Sequence, residues 1–187
     1  MTTLVFCLEE PSAREMLQAL LPRLLPPQVD ARYIVFEGKQ DLHRRLKKRL
    51  REWQAPDSKF VILRDQDNAD CHAVKQELEQ ICRESGRADA LVRVACRELE
   101  SWYLGDLAAV EQGLHFNGLA RRQHQAKYRQ PDRLGNPAEE IGKLTRNTYQ
   151  KISGSRAIGG CLSPHANQSH SFQVFLSGLR RLVESIP

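Results

Sequence analysis

Short unbroken apolar runs alternate with longer amphipathic stretches over the first hundred residues. That alternation predicts strands and helices taking turns in a parallel sheet. Leu4 to Leu8 reads as a buried strand. Pro11 and Ser12 then open a helix, with Ser12 as N-cap and Glu15 as its capping-box partner; Met16, Leu17, Leu20, Leu21 and Leu24 follow at helical spacing until Pro26 and Pro27 stop it. Arg32 to Phe36 is a second strand and Gly38 a turn. Asp41 to Trp53 is a helix with Leu42, Leu46, Leu50 and Trp53 on one face. Lys59 to Arg64 is the clearest strand, because Phe60 to Leu63 run apolar without a break after the turn residues Pro56 and Asp57. A helix from Ala69 to Ser85 closed by Gly86, a strand from Ala90 to Ala95 and a helix from Arg97 to about Gln112 complete the unit. The expectation is an α/β fold with a doubly wound, mainly parallel four-stranded sheet, whose ligands gather at the carboxyl ends of the strands.

Beyond Gly113 the strand-like runs disappear and Gly, Gln, Arg, Asn and Ser accumulate. Leu119 to Tyr128 and Ala138 to Tyr149 read as helices, Lys151 to Gln168 as an irregular Gly/Ser-rich loop, and Ser171 to Ile186 as a terminal amphipathic helix. The division expected is an α/β domain over residues 1–112 and a helical C-terminal extension over residues 113–187 packed upon it.

Composition narrows the class without changing this picture. With 41% hydrophobic and 27% charged residues among 187, the chain excludes disordered and fibrous classes and suits one domain with a full core. No apolar run is long enough to span a bilayer, and the first residues lack a basic region ahead of their apolar stretch, so a cytoplasmic protein without membrane contact is expected. Five cysteines with no CxxC pair argue against a disulfide framework and against structural zinc. Cys7 and Cys96 read as core residues, and Cys71 has no histidine partner other than His72 to make it a nucleophile.

The acidic residues do change the picture. Glu9 and Glu10 end the first strand, Glu37 the second and Asp65 and Asp67 the third, while Glu98 and Glu100 follow the fourth. In a parallel sheet all of them reach one rim, where crowded like charges repel unless cations neutralise them. Hard divalent ions with oxygen ligands, Mg²⁺ or Mn²⁺, suit such a set. The plainer alternative is that these acids cap helix N-termini, as Glu9, Glu10 and Asp41 are placed to do.

Leu4 to Ser12, a strand running into glutamate and a helix, resembles the first motif of the Toprim fold, and Arg64-Asp65-Gln66-Asp67 resembles its DxD motif. Arg97 to Leu104, RELESWYL, resembles the glutamate-and-aromatic segment that follows the last Toprim strand in nucleases of the overcoming-lysogenization-defect group. EEPSAR, FEGKQDL, LRDQDNADC and CRELESWYLGD together look like the bacterial domain-of-unknown-function family 4276, whose members often lie beside ATPase genes in phage-defence loci. This resemblance implies a Toprim-like fold and a magnesium-dependent nuclease. It implies one ion on Glu9, Asp65 and Asp67, and a second helped by Glu100 and Glu98. Glu9 is followed by Glu-Pro-Ser-Ala where the Toprim pattern has Glu-Gly-x-x-Asp; EGKQD at 37 to 41 spells that pattern better but follows the second strand. Glu37 is therefore the second choice for the motif glutamate, and Glu10 or Glu37 the alternative general base.

The net charge of +5 is compatible with a nucleic-acid partner. Lys151 and Arg156, flanking Gly154, and Lys39 beside the acids are the candidate phosphate contacts. His43 to Arg51 is the densest basic run, either a solvated helix face or a phosphate-contacting one. Trp53, Trp102 and Tyr103 read as core, and His165 and His170 as polar loop residues. The expected activity is phosphodiester hydrolysis by two ions roughly 3.5–4 Å apart. The resemblance, together with the lack of a Walker A loop, further implies a partner ATPase, and self-association is a further expectation. The alternative is a non-catalytic, metal-stabilised module docking on an ATPase or on nucleic acid.

Overall fold

A computed structural model of the chain describes residues 2–186. Its strands are β1 (Thr2–Leu8), β2 (Val29–Val35), β3 (Ser58–Asp65) and β4 (Leu91–Ala95), joined in the order β2-β1-β3-β4 with every pair parallel. Strand β1 is central, with Cys7 level with Ile34 on one side and Ile62 on the other. The crossover helices are α1 (Pro11–Leu20), α2 (Lys39–Glu52) and α3 (Cys71–Glu84). After β4 come α4 (Leu99–Leu104), α5 (Leu107–Gly113), α6 (Pro137–Leu144), α7 (Lys151–Gly159) and α8 (His170–Glu184).

Alternate residues of a strand face opposite ways, and β1 is apolar on both sides. Val5 and Cys7 pack with Phe60, Ile62 and the leucines of α2 and α3; Leu4, Phe6 and Leu8 face a larger core built with α1 and the later helices. Helices on both faces of a parallel sheet make this a doubly wound α/β fold, consistent with a Toprim-like arrangement. Ile141, Ile158, Phe172 and Phe175 of the tail belong to the same core as Leu4 and Phe6. Trp102, fully buried, lies among Phe172 and Phe175 and donates its indole N–H to Ser171 Oγ at 2.9 Å.

Several local expectations are corrected. The segment Lys151–Gly159 is a helix, not a loop. Its glycines serve close packing: a Cβ on Gly159 would lie 2.5 Å from the Met16 carbonyl of α1, and one on Gly154 would lie 2.5 Å from the Tyr149 ring. The capping box is absent, because α1 starts at Pro11 and Glu15 is drawn into an ion pair instead. The helix expected from Arg97 to Gln112 is broken at Gly105, where a Cβ would meet Asn167 Oδ1 at 2.2 Å, and Asp106 caps the second piece by accepting from Ala109 N–H at 3.1 Å. Leu119 to Tyr128 forms only tight 3₁₀ turns. The helix expected to reach Tyr149 stops at Leu144, since Arg146 and Asn147 take left-handed backbone angles.

The basic run on α2 is a paired helix face. Arg44 and Arg45 bind Asp41, Lys47 binds Glu84, and Arg51 donates to the Glu84 carbonyl. Among the described residues no helix is long and apolar enough to cross a membrane.

Candidate acidic site at the carboxyl rim of the sheet

Between β1 and β3 the chain turns to opposite faces, which opens a crevice at the carboxyl ends of these strands. A cleft there is lined by Glu9, Glu10, Ser12, Arg64, Asp65 and Leu99. Glu9, 8% exposed, accepts a hydrogen bond from the Asp65 backbone N–H at 3.1 Å and lies 3.8 Å from Arg64 Nε. Burial raises its carboxyl pKa; the Asp65 N–H opposes this and the Asp67 charge adds to it. Asp65 keeps an edge open to solvent, yet most of its surroundings are protein. Its pKa is lifted well above the usual carboxylate range, first by burial and then by the charges of Glu100, Glu9 and Glu10.

Glu100 enters from the first turn of α4 and is 1% exposed. Its Oε1 accepts from Tyr149 Oη at 3.0 Å, whereas its Oε2 is buried without a hydrogen-bond partner among the described residues. Burial raises this carboxyl as well, against the opposing charge of Lys151. Beneath it lies a layer of hydroxyls: Tyr149 Oη is 3.3 Å from Ser155 Oγ, and the Tyr103 hydroxyl is buried in the same layer. The two tyrosine rings meet edge to face with centroids 6.3 Å apart.

Two lysines close the open side. Lys151, the first residue of α7, reaches Glu10 Oε2 at 2.5 Å. Burial pulls its pKa down, but the hydrogen bond to Glu10 and the charges of Glu100 and Asp65 win and raise it. Lys39 Nζ pairs with Asp67 Oδ2 at 2.8 Å. Asp67 itself has a left-handed backbone (φ 55°) and is fixed by its N–H to the Arg97 carbonyl at 2.9 Å; such angles in a non-glycine residue cluster at functional sites.

Glu9, Glu10, Asp65 and Glu100 are thus brought together with Lys151, while Asp67 and Lys39 stand beside them. Glu98 is turned away, its carboxylate accepting from Ala138 N–H at the start of α6 at 3.1 Å, which is the helix-capping alternative. Glu37 is exposed, and its backbone N–H donates to Asp41 Oδ2 at 3.2 Å. Arg156 leaves the site for Glu15, donating through Nε at 2.6 Å. The hydroxyls of Tyr149 and Tyr103 carried no sequence signal of their own as parts of an acidic site, because only the path of the tail places Tyr149 and Ser155 under Glu100. Arg64 stands in the sequence only as the start of the DxD-like motif; its guanidinium is buried at the end of β3 and donates to His43 Nε2 at 2.8 Å, and burial together with that positive charge keeps the His43 pKa below its ordinary value.

The family model for DUF4276, described as a domain of unknown function, matches residues 8–180. This chain belongs to the DUF4276 family. No curated protein and no solved structure matches it. The matched span of this DUF4276 protein takes in every residue of the site, from Glu9 at the end of β1 to Ser155 in α7.

The residues suit a hard divalent cation in donor chemistry. All are carboxylate oxygens, burial raises the pKa of three of them, Glu9, Asp65 and Glu100, and Glu100 Oε2 lacks a hydrogen-bond partner among the described residues. Among the described residues, no three His, Cys, Asp or Glu side chains are drawn close enough to ligate a single ion.

Proposed function

We propose that this DUF4276 protein is a divalent-metal-dependent phosphodiesterase acting on nucleic acid, built on a Toprim-like sheet. The observation that carries the reading is the orphaned, buried Glu100 Oε2 beside Asp65 and Glu9 at the switch point of the sheet. Glu9, Asp65 and Glu100 would hold the ion by closing on it from the wider spacing they have here, with Asp67 at the margin. When bound, Mg²⁺ or Mn²⁺ supplies positive charge for the phosphoryl oxygens and lowers the pKa of water. Lys151 and Lys39 bind the phosphate by exchanging Glu10 and Asp67 for it. That exchange releases Glu10, which then accepts a proton from the attacking water. Tyr149 orients Glu100 through its hydroxyl.

The phage-defence setting and an ATPase partner belong to this proposal on the strength of the motif resemblance and of a sequence without a Walker A loop. A second reading, a docking module that breaks no bond, is favoured by the two lysine–carboxylate pairs already satisfied on the rim. Incubation with plasmid, single-stranded DNA and tRNA in Mg²⁺ or Mn²⁺ separates the two. The nuclease reading expects cleavage that EDTA and Asp65→Asn both abolish. Binding without cleavage of any substrate, alone or with a co-expressed neighbouring ATPase, would support the docking module.

A further inference from the structure

The two edges of the sheet are treated differently. Along β4, Arg93 donates Nε to the Val174 carbonyl of α8 at 3.3 Å, and Gly178 approaches so closely that a Cβ would lie 2.5 Å from Arg93 Nη2. A charged side chain and a helix therefore guard that edge. Strand β2 is the other edge, hydrogen-bonded to β1 alone.

Phe36 N–H donates to the Leu8 carbonyl, so the even-numbered residues of β2 direct their backbone groups to β1. Ala31, Tyr33 and Val35 consequently direct theirs outward. Asp30 and Arg32 flank Ala31, with side chains 42% and 61% exposed and paired to each other at 3.4 Å. A groove of mixed polarity, lined by Gln18, Leu21, Pro22, Leu25, Asp30 and Tyr33, runs beside the strand.

The geometry points to β2 as a self-association edge, on which a second copy of this chain adds its own β2 antiparallel, with Ala31 facing Ala31 on the two-fold axis. The charge pattern selects this register. Centred on Ala31, each Asp30 lies opposite the other copy's Arg32, in the non-hydrogen-bonded position where side chains approach most closely. A shift that centres the pair on Arg32 sets two arginines face to face, and one centred on Tyr33 sets Arg32 against Ile34. The outward N–H and carbonyl of Ala31 then exchange hydrogen bonds with their symmetry mates, and the groove is covered from the partner side. The result is one continuous sheet through both copies, in which the two acidic rims point in opposite directions.

Sedimentation equilibrium on the full chain tests this without reference to activity. The parent should be a dimer. Asp30→Arg and Arg32→Asp should each weaken dimerisation about tenfold or more, because each turns two attractions into two repulsions. The combined Asp30→Arg/Arg32→Asp variant should restore it, and Ala31→Cys should give a disulfide-linked dimer under mild oxidant where the parent does not. A monomeric parent overturns the proposal. So do single variants that dimerise like the parent, or a folded charge-swapped double variant that stays monomeric.

Discussion

At the scale of single residues, the two candidate motif glutamates part company. Glu9 ends the central strand and binds the Asp65 backbone, whereas Glu37 ends the edge strand and faces solvent. Coulomb coupling among carboxyls is strong only within ~4–6 Å. Glu9→Gln should therefore abolish both Mn²⁺ binding in calorimetry and cleavage, as Asp65→Asn does, and Glu37→Gln should leave both measurable. A dead Glu37→Gln beside an active Glu9→Gln would move the motif to EGKQD. Tyr149 gives a subtler expectation, since its hydroxyl donates a hydrogen bond to Glu100 Oε1. Tyr149→Phe should weaken Mn²⁺ binding by about 10–100-fold, the range typical for partners that orient ligands, with an unchanged circular dichroism spectrum. Unchanged affinity would mean that the hydroxyl only fills space. Glu9 and Asp65 were legible in the sequence because each follows an unbroken apolar strand. Tyr149 was not, because its role depends on a turn that no periodicity encodes.

Among elements, α1 and α7 form the contact least visible in the sequence. Serine and glycine in KISGSRAIGG read as loop because both residues are weak helix formers. The close backbone approach of Gly159 to Met16 explains why a helix here uses small residues at all. The same contact buries Glu15, 3% exposed, between Arg14 and Arg156. The hydrogen bond from Arg156 is the main cause that holds the Glu15 pKa below its ordinary 4.5, outweighing burial, and Arg14 adds to it. A depressed folded-state pKa stabilises the fold fully above the unfolded value and loses that stabilisation as the pH falls through the folded one. Thermal melts should therefore show the parent losing more stability than Glu15→Gln on going from neutral pH to below 4.5. Parallel acid limbs would mean the pair is not formed in solution. Strands and crossover helices fared better in the sequence, since their apolar runs and turn residues are local. The break at Gly105 was hidden, because it is imposed by Asn167 and Ser169 from far along the chain.

For the molecule as a whole, one core joins the sheet to the tail. Phe172, Phe175 and Ile158 are fully buried in the cluster that holds Leu4, Phe6 and Trp102. Removing such side chains from a core costs several kcal/mol, about 3–5 for each phenylalanine, which is comparable to the stability of a whole domain. A fragment ending at Gly113 should fail to give a cooperative thermal transition, and the full chain should give a single one. A cooperatively folding fragment would make the tail a separable unit.

The hydroxyl of Tyr149 and the ammonium of Lys151 meet carboxylates that precede them by many residues, and this sets an order in time. A chain leaving the ribosome displays Glu9, Asp65 and Glu100 early, but Glu100 has no oriented oxygen and Glu10 no counter-charge until the stretch beginning at Tyr149 has emerged and α7 has docked on α1. Under the proposed function, the site would therefore be inert while the chain is being made, and a product truncated before Tyr149 would stay so.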